Sequence, residues 1–312
     1  MHSRLSNEIK AEASRLGFYA CGIARAESVH NDDARAVMRW LDANGHADME
    51  YMGRNLDKRL NPELLMPGVK SIVCVAMNYT PAKRIPEDEY QFAAYAYGKD
   101  YHDIVKQKLH QLALFVEQSI PDATLPLTYR CFCDSAPVLE RYWAVKAGIG
   151  WIGRNHQLII PKAGSMFVLG ELFLNIELEC DSPIKNGCGD CHKCLDVCPT
   201  KVLSLQSFDA SKCLSYQLIE NRQGLSEEAK THMENVIYGC DRCQQACPWN
   251  RFAPPTDIPD LLPSDEFLCM TKEKWESLTV EDYRRLFKGS AVKRVKYEGL
   301  MRNIRAAMEK GK

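Results

Sequence analysis

Eight of the chain's fourteen cysteines fall in two spaced runs with one lone cysteine between them. Cys188, Cys191, Cys194 and Cys198 follow one another at x2, x2 and x3 spacing, with Pro199 directly behind. Cys240, Cys243 and Cys247 repeat the end of that run, with Pro248 behind, and Cys213 lies between the two. The first run is the pattern with which bacterial ferredoxins hold iron–sulfur cubanes, and its fourth cysteine ligates the other cluster when there are two. The rule assigns Cys188, Cys191, Cys194 and Cys247 to one cluster. Cys198, Cys240 and Cys243 belong to the second. Ile237 stands where the second run would have its own first cysteine, so Cys213 is the nearest thiol for the open position. Two [4Fe-4S] clusters in one chain imply electron transfer at low potential.

Structural zinc is the plainer reading, since zinc also takes four thiolates from CxxC pairs. It does not call for three cysteines at x2, x2 spacing, a fourth after x3, and a proline behind each last one. A disulfide framework fits less well, because the chain starts as a polar amphipathic helix and not as a signal peptide. CxxC spacings then read as metal or redox sites. With 40 basic against 41 acidic residues, no global charge argues for nucleic acid. No apolar stretch has the length to span a bilayer, so a soluble cytoplasmic protein is expected. The remaining cysteines, Cys21, Cys74, Cys131, Cys133, Cys180 and Cys269, read mostly as small buried hydrophobes.

Residues 1–178 read as an α/β domain. Leu5, Ile9 and Leu16 mark a helix and residues 18–23 a strand; Asp32 or Asp33 caps a helix that Asn44-Gly45 ends. Residues 71–77 form a buried β-branched strand, and Val105, Leu109, Leu112 and Val116 line one helix face. A strand over 127–133 and a helix over 136–147 follow. Residues 157–160 and 166–169 suggest a hairpin around a glycine-bearing loop, and 172–178 one more strand. From 179 to 255 the cysteines dominate and clusters must organise the segment. Pro254, Pro255, Pro259 and Pro263 mark an extended linker, and 256–312 ends as a short helical basic tail.

Asp134 ends the 127–133 strand, and Pro137 sits well for a first helical turn. Local pattern favours Asp134 as a helix cap. The competing reading is a general acid at the carboxyl end of a strand, where α/β proteins place ligands. Gly148, Gly150 and Gly153 permit close backbone approach to a ligand, but their spacing is not a dinucleotide fingerprint. Tyr95–His102 is a ligand wall or a loop, with His102 more often structural.

Asp134–Arg141 (DSAPVLER), Gly150–Asn155 (GWIGRN), Cys188–Thr200, Cys213–Glu220 and Tyr238–Asn250 together resemble epoxyqueuosine reductases across nearly the whole chain. The resemblance implies a nitroreductase-related α/β domain that binds cobalamin, also used by reductive dehalogenases, followed by a ferredoxin-like domain with two [4Fe-4S] clusters. It implies a substrate: tRNA carrying epoxyqueuosine at the wobble position. The family's proton donor falls on Asp134, which displaces the cap reading; protonating the substrate oxygen asks for a carboxyl with a raised pKa. Cys213 matches the eighth cluster ligand. Tyr97, Asn155, Ser215 and Asp241, with Asp134, match the corrinoid surroundings. Lys293, Arg294, Lys296 and Arg302 in the tail are the candidates for tRNA phosphates. A monomer served by an external low-potential electron donor is implied. The competing functions are a cobalamin and iron–sulfur reductase of a small molecule and a plain electron carrier; the latter leaves the first 178 residues without a role.

Overall fold

The computed structural model describes residues 2–121, 126–204 and 207–309. The chain opens with α1 (His2–Arg15), β1 (Ala20–Arg25), α2 (Asn31–Asp42), β2 (Ser71–Asn78), β3 (Gln91–Phe92) and α3 (Tyr101–Ser119). It continues with β4 (Tyr129–Phe132), α4 (Glu140–Lys146), β5 (Trp151–Ile152), β6 (Leu158–Ile159) and β7 (Phe167–Leu174). Short helices α5 (Lys193–Asp196), α6 (Leu214–Ile219) and α7 (Arg242–Gln245) carry the cysteine region, with β8 (Val236–Tyr238) before the last; α8 (Lys296–Met308) closes the chain.

A four-stranded sheet in the order β1-β2-β7-β4 carries the first part, with every pair antiparallel. All eight residues of β2 are buried, because helices cover both faces. Strand side chains alternate between faces. Val73, Val75 and Met77 meet Ile9 of α1 and Leu109, Leu112 and Val116 of α3. Ile72, Cys74 and Ala76 meet Trp143 and Ala144 of α4. The end of α4 comes so near β1 that a Cβ on Gly22 would lie 2.0 Å from the Ala147 carbonyl oxygen. Gly22 therefore sets the distance between layers.

A third core joins distant parts of the chain. β3 pairs in parallel with β8, and Phe92 packs with Tyr238, Phe267, Trp275 and Phe287. Trp275, Leu300 and Ile304 are fully buried there. The buried Asn303 amide clips α8 down, donating to the Leu218 and Ile237 carbonyls at 2.8 Å each. Ile237, the residue at the missing cysteine position, is thus a core residue of β8 with no exposure. The tail is an amphipathic cover whose inner face completes this core, not simply a basic appendage.

Several local expectations change. His30, not Asp32 or Asp33, caps α2; the two aspartates sit in its first turn. β6 pairs with β5, not with 166–169, and residues 167–174 run as one strand through the central sheet. α4 starts at Glu140, four residues after Ala136. Cys74 and Cys133 are buried as expected, but Cys180 and Cys269 are exposed. The proline segment is strapped to the first part: the Thr256 N–H donates to the Thr80 carbonyl, and Ile258 is buried in the core beside α3.

Candidate functional site

The structure gathers the eight cysteines into two groups. Cys188, Cys191, Cys194 and Cys247 line one cavity of about 270 Å³, together with Arg154 and Trp249. Cys243 lies within charge–charge reach of Cys240, Cys213 and Cys198. Each run turns on a short helix, and α5 and α7 pack on each other. Backbone N–H groups aim at the sulfurs: those of Ser215 and Tyr216 at Cys213, those of Trp249 and Asn250 at Cys247. Such donors stabilise thiolate charge. Among the described residues no three His, Cys, Asp or Glu side chains converge as a single ion requires. Four thiols around an open volume instead suit a polynuclear cluster, whose ligands stand well apart.

The loop after β6 is tied to the second run. Gly164, at φ +85°, lets Asn250 approach so closely that a Cβ would meet its Oδ1 at 1.9 Å. That Oδ1 accepts the Ser165 N–H at 2.6 Å.

Asp134 does not cap a helix. Its φ is +56°, a left-handed conformation that Asp tolerates better than most residues. Its N–H donates to the Glu140 carboxylate, and the helix cap falls on Leu139. The carboxylate Oδ2 accepts the Tyr101 hydroxyl at 2.6 Å and meets His102 Nε2 at 3.1 Å. His102 Nδ1 in turn faces Asp100 Oδ1 at 2.6 Å, and Lys293 Nζ holds Asp100 Oδ2 at 2.9 Å. Tyr101 and His102 stack with centroids 4.2 Å apart. Asp100 caps α3, so one helix start delivers Asp100, Tyr101 and His102 to Asp134 together. The Asp134 side chain keeps 56% of its surface while Asp100 keeps 7%: Asp134 is open to an incoming group, and Asp100 is not.

The charge state corrects one expectation. Burial pushes the Asp134 carboxyl up, but the bonds from His102 and Tyr101 outweigh it, and the pKa lies below its ordinary value. Burial lowers His102, yet its bonds to Asp100 and Asp134 raise it to about 9. At neutral pH the site holds its proton on the imidazole, beside a carboxylate.

The residues matched to the corrinoid surroundings are more dispersed. Asn155 lines the first cysteine cavity. Its Nδ2 is buried without a partner among the described residues, as is His156 Nε2 next to it. Tyr97 is buried against Phe267. Asp241 is buried as well, its Oδ2 accepting the Ala94 N–H at 2.7 Å. Ser215 is the second residue of α6, which Cys213 precedes.

The basic tail residues divide. Arg294 makes a two-pronged bond to Glu220 at 2.7 and 2.8 Å and lies within electrostatic reach of Asp134. Lys293 and Lys296 are exposed. Arg302 turns inward and donates to the Asn221 and Gln217 carbonyls.

Sequence reasoning missed Tyr101 as a partner of Asp134 and Asp100 as the residue behind His102. Their signal is a helix cap that opens an aromatic, His-bearing turn.

A three-layered α/β fold joined to two groups of four thiols marks a redox protein of the iron–sulfur kind. Residues 59–135 match the family profile described as "Epoxyqueuosine reductase QueG, DUF1730", and 187–250 match a 4Fe-4S double cluster binding domain. The chain is 44% identical to an epoxyqueuosine reductase of Leadbetterella byssophila over 96% of its own length and 97% of the relative's. It superposes at TM-score 0.88 and 28% identity on an epoxyqueuosine reductase solved with an epoxyqueuosine-modified tRNA-Tyr stem loop, covering 98% of this chain and 81% of that one. A reductive dehalogenase shares the fold at TM-score 0.51 and 18% identity, over 100% of this chain and 36% of that one. The chain belongs to the epoxyqueuosine reductase family.

Proposed function

We propose that the chain reduces the epoxide of epoxyqueuosine at the wobble position of tRNA to the alkene of queuosine, taking two electrons and two protons and releasing water. The family membership carries the activity; the Asp134 array carries the assignment of its proton chemistry. A small-molecule reductase of the dehalogenase kind is not favoured, since its likeness to this chain is one of fold.

In this reading residues 1–178 are the catalytic domain, of nitroreductase-like type, residues 179–255 hold the clusters, and 256–312 contribute to tRNA binding. Cys188, Cys191, Cys194 and Cys247 hold one [4Fe-4S] cluster; Cys198, Cys213, Cys240 and Cys243 hold the other. An external low-potential donor supplies electrons singly. Asp134, Asn155, Tyr97, Ser215 and Asp241 are the residues that would hold cobalamin. The unpartnered Asn155 Nδ2 and His156 Nε2 suit the amide groups that fringe a corrin, and buried polar atoms need such partners. Asn155 and Ser215 would hold that rim, with Tyr97 and Asp241 buried behind them. When bound, cobalamin supplies low-potential electrons at the carbon skeleton of the epoxide.

The chain's own residues handle the proton. Asp134 faces the epoxide oxygen. As substrate covers Asp134, water leaves and the carboxyl pKa rises. A proton then moves from His102 Nε2 to Asp134 and on to the leaving oxygen, while Asp100 stabilises the imidazolium by holding Nδ1. Tyr101 fixes the carboxylate in line.

The base must be extruded to reach Asp134. Lys293 pairs with Asp100, Arg294 lies within electrostatic reach of Asp134, and Lys296 lies next to them along the chain. They are proposed to contact phosphates, with Arg302 bracing α8 beneath them. Anaerobic turnover of epoxyqueuosine tRNA by Asp134→Asn tests the assignment: loss of turnover with cobalamin still bound is expected, and full turnover would remove Asp134 from the chemistry.

A further inference from the structure

A pair of carboxyls beneath Asp134 has no part in the chemistry above. Glu171 lies in the middle of β7, opposite Cys74 of β2 and Phe132 of β4, with no exposure. A carboxyl inside a sheet layer covered by helices is costly unless it is neutral or paired. No N–H or O–H among the described residues reaches either Glu171 oxygen. Its carboxyl instead lies in hydrogen-bonding contact with that of Glu140. Two ionised carboxylates cannot bond to each other, so the contact requires a shared proton. Glu140 is the first residue of α4, and its carboxylate accepts the N–H of Asp134.

The surroundings agree with a proton kept on this pair. Asp134, Arg141 and His102 face Glu140; Arg59 lies within its electrostatic reach. The thiols of Cys74 and Cys133 face Glu171. Burial and then the charge of Asp134 push Glu140 up to about 7, and burial with the charge of Glu140 pushes Glu171 up as well. Both directions favour a proton held on the pair.

Asp134 needs a tie. It lies past the end of β4 and outside α4, in a left-handed conformation. The bond of its N–H to Glu140 links it to the first turn of that helix.

We propose that Glu171 and Glu140 form a proton-sharing latch: Glu171 donates its proton to Glu140, whose carboxylate accepts the Asp134 N–H and holds the catalytic carboxylate against Tyr101 and His102. Both are positioning residues. This rests on the assignment of Asp134 above, but the tie itself is read without turnover.

The test compares Glu171→Gln, Glu171→Leu and Glu140→Ala in the assembled protein. Gln keeps a donor toward Glu140; Leu removes it. Hydrogen exchange at the Asp134 amide and the infrared carbonyl band of an un-ionised carboxylic acid at mildly alkaline pH are read first. Loss of one buried hydrogen bond corresponds to about tenfold in the exchange equilibrium. Glu140→Ala and Glu171→Leu are expected to speed Asp134 exchange by about tenfold and to lower kcat with little change in tRNA KM. Glu171→Gln is expected to keep near-native exchange while losing the acid band. Unchanged exchange in Glu140→Ala, or an acid band that survives in Glu171→Gln, overturns the latch. If Glu140→Ala or Glu171→Leu fails to fold, Glu171→Gln decides alone: rapid Asp134 exchange in it overturns the proposal. Intact latch readouts with an Asp134 variant that still turns over would instead overturn the catalytic assignment and leave the tie standing.

Discussion

Asp100→Asn should lower the pKa of His102 while leaving its position nearly unchanged. In the native site His102 is raised from the ordinary 6.5 to about 9, with Asp100 and Asp134 as the two groups that raise it. Asn can still accept from Nδ1–H, so the ring stays in place, but the negative charge is gone. If the two carboxylates share the effect, the loss is about one pKa unit or slightly more, ~1.5–2 kcal/mol of preference for the imidazolium. Because the folded pKa lies above the unfolded one, protonated His102 stabilises the fold fully below about 6.5, and this contribution fades as pH climbs toward about 9. In the variant the fading is complete near pH 8. Turnover should follow: the alkaline limb moves down by about one unit. NMR titration of the labelled imidazole measures the pKa directly, and pH–rate profiles of anaerobic turnover read its consequence. A His102 pKa unchanged in Asp100→Asn would refute the charge argument. A shifted pKa with an unmoved alkaline limb would show that His102 is not the proton source.

Other outcomes follow from the same geometry. Cys247→Ser should disturb the cluster of the first cysteine run, and Cys198→Ser that of the second, which iron content and electron paramagnetic resonance of each reduced variant will show. Lys293→Ala with Lys296→Ala should weaken tRNA binding and flatten its salt dependence by ~0.7 in log–log slope for each phosphate no longer neutralised, as fluorescence anisotropy across a salt series would reveal. Trp275→Ala, which empties the centre of the aromatic core, should cost about 3–5 kcal/mol of stability, seen in denaturant unfolding of the cluster-loaded protein.

The elements that were legible in the sequence are those whose cause is local. β2 is a run of apolar residues because both its faces are covered. α3 shows its face because Val105, Leu109, Leu112 and Val116 all meet one sheet. The cysteine grouping was readable because cluster geometry dictates spacing. Long-range pairing was not. β5 and β6 pair over two residues each, too short for alternation to reveal a register. The α4 start was misplaced because the left-handed Asp134 and the turn at Ser135–Leu139 delay the helix, although Pro137 suits a first turn. The Asp134–His102 contact joins residues 32 positions apart, and no periodicity encodes it. The tail looked basic because its charges are conspicuous in sequence; its apolar residues gain meaning only once Phe92 and Tyr238 are brought beneath them.

The most direct test of the proposed activity is anaerobic turnover with cobalamin, a strong reductant and tRNA carrying epoxyqueuosine, followed by digestion and mass spectrometry of the nucleosides. The expected product is a modified nucleoside lighter by one oxygen atom, formed only by protein that holds both clusters. An unchanged nucleoside, from protein verified to hold its clusters and cobalamin, would contradict the assignment.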